Sequence, residues 1–236
     1  CIATYNVKSF GYYGHYTNNF KNIAFALGEK DPDIICFQEI WFDKHLPIDS
    51  IANFLEMPYY AIGENGLGVK DLALFSKHPI IETKSQVYPN THNGSMYCDI
   101  QVNDKVIRVM NLHLQTSNFS QKQHEVGQLK QVFKPRIFAQ AIQNISKTIN
   151  DNSIKRSEQA LEVNKIINNC PYPIFVAGDI NETPSSFVYD KVKGELLDGF
   201  RQGGRGFGST YKKIFGIFRL DYIFHSKDFQ CVNYFS

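Results

Sequence analysis

The run Phe175-Val176-Ala177-Gly178-Asp179-Ile180-Asn181-Glu182-Thr183-Pro184 decides how this chain is read. Ile174 to Ala177 is a short apolar run of the length of a buried strand. It delivers Gly178, then an Asp and an Asn two residues apart, to the strand's C-terminal end. Thr183-Pro184 follows, Thr suited to capping the next helix and Pro to its first turn. A carboxylate beside a buried strand is costly unless it is paired or coordinates something. An Asp-x-Asn pair held rigidly there suits polarising a water and holding a phosphoryl oxygen. The competing reading is a strand-to-helix turn in which Asp and Asn are turn residues. This stretch alone leaves the two even.

Outward from it, the chain reads as a mixed protein. Strand-like runs recur at Ile2–Val7, Ile34–Gln38, Leu72–Ser76, Val106–Leu114 and Leu220–His225. Phe20–Leu27 reads as a helix. A long section from about Val126 to Asn169 carries Ile137, Ala141, Ile145, Leu161 and Ile166 at helical spacing, with Pro135 and Asp151-Asn152 as expected punctuation. Helices between strands, with several tight connections, point to an α/β protein with two sheets in one core.

At 236 residues the chain is long enough for one large domain with a substantial core. A 43% hydrophobic and 20% charged composition is ordinary for a globular protein. The net charge of +2 does not announce nucleic acid, though it permits a local basic groove. No apolar run approaches a membrane span. The first residue is Cys1, directly in a strand-like run, so a trimmed N-terminus is expected, and any signal or anchor would have gone with it. Cys1, Cys36, Cys98, Cys170 and Cys231 are scattered and odd in number, which argues against a disulfide framework and a structural zinc site.

Polar residues recur where strands end. Val106–Leu114 alternates, with Ile107, Val109, Asn111, His113 and Gln115 on one face and Met110, Leu112 and Leu114 on the other. One face thus turns polar toward its end, which places Asn111 and His113 at a mouth. The run Ile34-Ile35-Cys36-Phe37-Gln38-Glu39 suits a strand buried on both faces, with Glu39 emerging at its end. One carboxylate is a plausible Mg²⁺ ligand, since this ion often takes one or two and keeps waters. Asn6 ends the first strand. Asp221 stands among apolar and aromatic residues, and His225 on the same face lies about 13 Å from it, too far to pair. A bland alternative exists for each: a hydrogen-bonded strand histidine, a solvent-facing Glu, a turn Asp.

Taken in order, these segments resemble the endonuclease/exonuclease/phosphatase superfamily, the DNase I-like fold. The likeness runs nearly end to end: Tyr5-Asn6-Val7, Phe37-Gln38-Glu39, Asn111-Leu112-His113-Leu114, Gly178-Asp179-Ile180-Asn181, Ser209-Thr210-Tyr211 and Arg219-Leu220-Asp221-Tyr222-Ile223. The segment Gly206-Phe207-Gly208-Ser209-Thr210-Tyr211 looks like that of uncharacterised Bacteroidetes members. The resemblance implies a four-layer α/β sandwich, two face-to-face mixed sheets flanked by helices. It implies that Glu39 binds Mg²⁺ (or Mn²⁺) with support from Asn6, and that Asp179 orients or deprotonates the attacking water. Asn181 would hold a phosphate oxygen, and His113 would donate to the phosphate or assist the leaving group. Asp221 would orient a terminal histidine.

Two departures matter. Abasic-site enzymes carry an Asp two residues after the first Asn, where this chain has Lys8. The family also closes on a Ser-Asp-His strand, whereas this chain stops at Tyr234-Phe235-Ser236. One domain over 1–236 lacking its last strand is therefore expected, with a non-catalytic binding relic as the alternative.

Substrate choice is expected in two loops. Gly199–Lys213 carries Arg201, Arg205, Lys212 and Lys213, with Arg205 and Thr210 as candidate substrate contacts. Ser117–Ile154 mixes Lys122, Lys130, Lys134, Arg136 and Lys147 with Val132, Phe133, Ile137 and Phe138. That mixture suits nucleic acid or an acidic membrane surface, and equally an amphipathic helix packed on a sheet. The expectation is a bacterial, monomeric, divalent-metal-dependent phosphodiesterase, nuclease-like, located in the cytoplasm or held at a membrane through a missing N-terminal segment. The alternative substrate is a phospholipid or inositol phosphate.

Overall fold

Apolar alternation on the strands builds two sheets whose inner faces bury each other. The structure, a computed structural model, describes residues 1–11, 16–116, 135–211 and 218–236, and for 16–17 and 135–149 the backbone alone. In the first sheet β1 (Ile2–Asn6) runs parallel to β2 (Ile34–Gln38). Next to β2 comes β4 (Lys70–Ser76), antiparallel, and then β3 (Tyr59–Glu64). The second sheet has six strands: β5 (Ile80–Val87), β6 (Gly94–Val102), β7 (Lys105–His113), β8 (Ile174–Asp179), β10 (Asp221–His225) and β9 (Leu197–Asp198), in that spatial order. Its pairings are antiparallel except β7 with β8.

Side-chain parity along the strands makes the layers. Ile34, Cys36, Leu72, Leu74, Met96, Cys98, Ile100, Ile107, Val109 and Ala177 point inward and form the core between the sheets. Their neighbours point outward. Ile35, Phe37, Ala73 and Phe75 pack under α1 (Tyr16–Gly28) and α2 (Ile48–Phe54). Met110, Leu112, Val176, Tyr222 and Phe224 pack under α3 (Pro135–Asn168) and α4 (Phe187–Lys193). The result is the four-layer sandwich expected from the resemblance. Among the described residues no helix is long and apolar enough to cross a membrane, and all five cysteines are free.

Three local expectations are corrected. Asp151-Asn152 does not interrupt α3, which runs unbroken to Asn168. Asp and Asn each cost only a few tenths of a kcal/mol in a helix, and Ala160, Val163 and Ile167 bury against the second sheet. The buried stripe is those residues rather than Leu161, which is exposed. The helix after Asn181 starts at Phe187, not at Pro184, because the Ser186 hydroxyl caps it by accepting from Tyr189 N (3.1 Å). The basic and aromatic residues from Lys122 to Phe133, Lys134 and the side chains of Arg136, Ile137, Phe138 and Lys147 lie outside the described residues, as do Lys212 and Lys213.

Candidate active site

Strand register gathers the polar ends at one edge of the sandwich. Asn6 lies opposite Gln38 across β1 and β2. On the other sheet Asp179 has His113 beside it on β7 and Asp221 beside it on β10. One side chain bridges the two sheets by hydrogen bonds at the rim. Asn6 Nδ2 donates to Glu39 Oε1 (2.8 Å) in its own sheet and to Asp179 Oδ2 (3.3 Å) in the other.

Below this junction lies a buried polar floor. Asn111 does not stand at the mouth: it is fully buried one layer down, because it faces Gln38 across the gap between the sheets. Gln38 Nε2 donates to Asn111 Oδ1 (2.6 Å) and Thr4 Oγ1 (3.0 Å), and Asn111 Nδ2 donates to Phe37 O and Ala73 O (both 2.9 Å). These bonds satisfy groups that would otherwise be costly to bury and fix the spacing of the sheets under the site.

Two residues at the rim need left-handed backbone, Glu39 (φ 51°) and Asn181 (φ 54°). Turning there lets Glu39 leave the buried strand, its side chain about a third exposed. Asn181 is folded back so that its N–H reaches Asp179 Oδ1 (2.8 Å) and its Nδ2 reaches Leu114 O (3.0 Å). Gly178 (φ 135°) is required just before, because a Cβ there would lie 2.1 Å from Leu112 O.

His113 is buried, its Nε2 3.5 Å from Glu39 Oε1, and among the described residues neither ring nitrogen has a hydrogen-bond partner. Burial lowers its pKa, and Glu39, Asp71 and Asp221 pull it back upward. Burial pushes the Asp179 carboxyl up to about 6, against the hydrogen bonds from Asn181 and Asn6. Burial, then the neighbouring Asp179, pushes Asp221 up to about 7. Thr210 touches Asp221 rather than open space: its Oγ1 accepts from Leu220 N (3.0 Å) and Asp221 N (3.2 Å). Arg205 is exposed on the preceding loop, and no hydrogen bond or ion pair is described between it and this cluster.

The sequence reading passed over three contributors. Asp71, at the start of β4, accepts from Asn65 Nδ2 (3.0 Å), leaves Oδ1 buried with no partner among the described residues, and acts on His113 through space. It carried the signal used elsewhere, a carboxylate at a strand end. Arg156 on α3 ties the loops after β7 and β8 together, donating to Gln115 O and Glu182 Oε1 (both 2.9 Å). Arg219 forms a bidentate pair with buried Asp198 (3.0 and 2.6 Å), which anchors the approach to Asp221.

The donor set suits a hard divalent cation. Carboxylate oxygens crowd a corner where burial first, and then neighbouring carboxylates, hold two carboxyls above their usual range, and a bound cation would relieve that surplus of negative charge. Among the described residues no three His, Cys, Asp or Glu side chains converge tightly enough to hold an ion by themselves. Mg²⁺ does not require such a cluster, since it keeps several waters and uses one or two carboxylates. Glu39 is the exposed oxygen donor. Asn6 brackets it, its own oxygen accepting from Lys8 N (3.1 Å).

A model of the endonuclease/exonuclease/phosphatase family matches residues 3–235. The chain belongs to that family. Membership places it among phosphoester hydrolases. No curated protein matches the sequence. Among solved structures, a β toxin variant from Staphylococcus aureus with bound magnesium ions superposes with a TM-score of 0.64 at 19% identity, covering 96% of this chain and 83% of that one. Sphingomyelinase C from Streptomyces griseocarneus gives 0.63 at 17%, covering 96% and 82%. TDP2 from D. rerio, complexed with a single-strand DNA product, gives 0.65 at 14%, covering 95% and 82%. At these identities the likeness establishes the fold, and it leaves the Bacteroidetes branch unaddressed.

Proposed function

We propose that this protein is a divalent-metal-dependent phosphodiesterase acting on nucleic acid by attack of an activated water. The observation that carries the reading is the meeting of Glu39, Asn6, Asp179, His113 and Asp221 from strand ends of both sheets. Glu39, bracketed by Asn6, would hold Mg²⁺ or Mn²⁺, which when bound supplies positive charge at the phosphoryl oxygens.

The chain's own residues then divide the work. Asp179 has Oδ1 turned to Asn181 N and Oδ2 to Asn6 Nδ2, so its remaining lone pairs have a fixed direction in which to orient a water. A pKa near 6 is well matched to accepting that water's proton at neutral pH. His113, kept neutral by burial, has an N–H to offer a phosphoryl or leaving oxygen without bringing a permanent charge to the floor. Asn181, pinned by Leu114 O, presents its amide beside the same centre.

The second reading keeps this chemistry on a phospholipid or inositol phosphate. It is favoured by the sphingomyelinase C likeness, which spans as much of the chain as the TDP2 likeness does. The deciding test is Mg²⁺-dependent nicking of supercoiled plasmid, with Asp179→Ala as control. Nicking lost in the variant and in EDTA supports the first reading. No nicking alongside hydrolysis of sphingomyelin or inositol phosphates supports the second. Cleavage that survives both EDTA and Asp179→Ala overturns the assigned site, and a folded protein that binds no Mg²⁺ makes the binding relic the leading account.

A further inference from the structure

Lys8, Ser9 and Phe10 have φ of 46°, 52° and 55°, three consecutive non-glycine residues in the left-handed region. Such a run is unfavourable for L-residues and persists only where its surroundings over-determine it. Here they do. Lys8 N donates to Asn6 Oδ1 (3.1 Å), Ser9 N to Glu39 O (2.7 Å), Phe10 N to Val7 O (2.8 Å) and Gly11 N to Lys8 O (2.9 Å). The Phe10 ring is buried edge-on against Phe20 and Phe37 (centroids 5.4 and 6.2 Å). An ordinary extended exit from β1 would carry residue 8 onward along the strand direction. The left-handed turn instead directs its side chain to Tyr211.

The consequence is where the ammonium lies. Lys8 Nζ sits 5.6 Å from the centroid of Tyr211, within cation–π reach. Tyr211 follows Thr210, whose hydroxyl takes the Leu220 and Asp221 amides. Lys8 therefore spans the mouth from the end of β1 to the segment that supports Asp221. Its charge is felt by both Asp179 and Asp221, drawing each carboxyl downward against burial.

A phosphodiester approaching this corner meets Glu39, Asp71, Asp179 and Asp221, all of which repel it once ionised. A cation held by Glu39 offsets that repulsion on the side of the first sheet. On the Asp179–Asp221 side, where the second sheet ends, Asn181 and His113 offer neutral donors, and the cation is not there to add charge. We propose that Lys8 is a phosphate-binding residue, its Nζ receiving a non-bridging phosphoryl oxygen on the Asp179–Asp221 side of the site. The assignment rests on the hydrolase reading above and adds to it a ligand contact made by this chain's own turn. The Tyr211 ring limits where the ammonium travels when no anion is present. Arginine preserves the charge at this position and should preserve the function.

The test uses the intact chain with Mg²⁺, following hydrolysis of bis(4-nitrophenyl) phosphate, its inhibition by inorganic phosphate, and direct binding of inorganic phosphate by calorimetry. Lys8→Gly removes the ammonium and also suits the positive φ, so it should melt no lower than the parent. Its kcat/KM should fall by about tenfold to a hundredfold and its phosphate affinity by about tenfold, the scale of one charge-assisted hydrogen bond. Lys8→Arg should recover to within about threefold, and the Mg²⁺ concentration for half activity should move by less than about twofold in either variant. A merely structural Lys8 would leave phosphate affinity unchanged in Lys8→Gly, and that result overturns the proposal whatever happens to activity. If the parent hydrolyses nothing that Asp179→Ala does not, the hydrolase reading fails by itself. The phosphate titration then still decides Lys8, for or against.

Discussion

Asp179 and Asp221 are direct partners across β8 and β10, so their carboxyls share one face of the sheet at the lip of the site. Asp179 is buried and Asp221 half-buried, and each stands above its ordinary range. A raised acid binds its proton more tightly folded than unfolded, so the folded state loses stability as pH climbs from the unfolded value toward the folded one. Asp221→Asn removes that dependence at its own site. In EDTA the variant should gain stability over the parent as pH rises from 4, with the difference levelling above about 7. Thermal melts of both proteins across that range check it. A difference independent of pH would show that Asp221 is not held above its ordinary range.

The same charge surplus predicts a metal effect on stability. Mg²⁺ binds the ionised site, so its gain in melting temperature should be larger at pH 8 than at pH 5, and EDTA should abolish it. Glu39→Gln removes the exposed donor and should reduce the gain at pH 8 by more than half. An equal Mg²⁺ effect in Glu39→Gln and parent would move the ion away from Glu39.

Much of this site was readable beforehand because its residues share one signature, a polar side chain ending a run that is otherwise buried. Glu39, Asp179 and Asp221 all stand out that way, and strand parity placed His113 on the inner face. Asn111 carries the same signature, but whether a strand's last polar residue lies at the rim or below it depends on the partner sheet. Gln38 across the gap draws Asn111 inward. The strands that went unread fail the pattern for physical reasons. Along β5 exposed polar residues dominate at the sheet edge, and β6 buries Asp99, which is paired with Arg108 (2.7 Å). The left-handed turn at Lys8 has no local signal, since its residues are not glycine, and the bond from Ser9 N to Glu39 O with the burial of Phe10 imposes it.

Asp71 should matter to catalysis through His113. Its charge raises the imidazole's affinity for a proton, so Asp71→Asn lowers the His113 pKa further. The acidic limb of the kcat/KM profile should move to lower pH, while activity at pH 7, where His113 is already neutral, should change by less than about threefold. A loss of activity without any shift in the profile would assign Asp71 to the fold alone.

The last prediction concerns how Asp221 is held in place. Arg219 and Asp198 are both buried, and their bidentate pair is joined by the Tyr189 hydroxyl on Asp198 Oδ2 (2.7 Å). Asp198 also caps α5 (Gly199–Gly203) by accepting from Phe200 N (3.0 Å). One carboxylate thus fastens α4, α5 and the entry to β10. Removing one partner leaves a buried charge unpaired, so Arg219→Met should cost about 3–5 kcal/mol in denaturant melts. Asp198→Asn alone also breaks the pair and loses part of the cap. Combining the two removes both charges, and the double variant should lose less than the sum of the singles by about 1 kcal/mol or more. Because Leu220 and Asp221 follow Arg219 directly, the single Arg219 variant should also lose hydrolytic activity at temperatures where it remains folded. Strict additivity in the cycle, with activity intact, would mean that the pair fixes neither the turn nor the carboxyl beyond it.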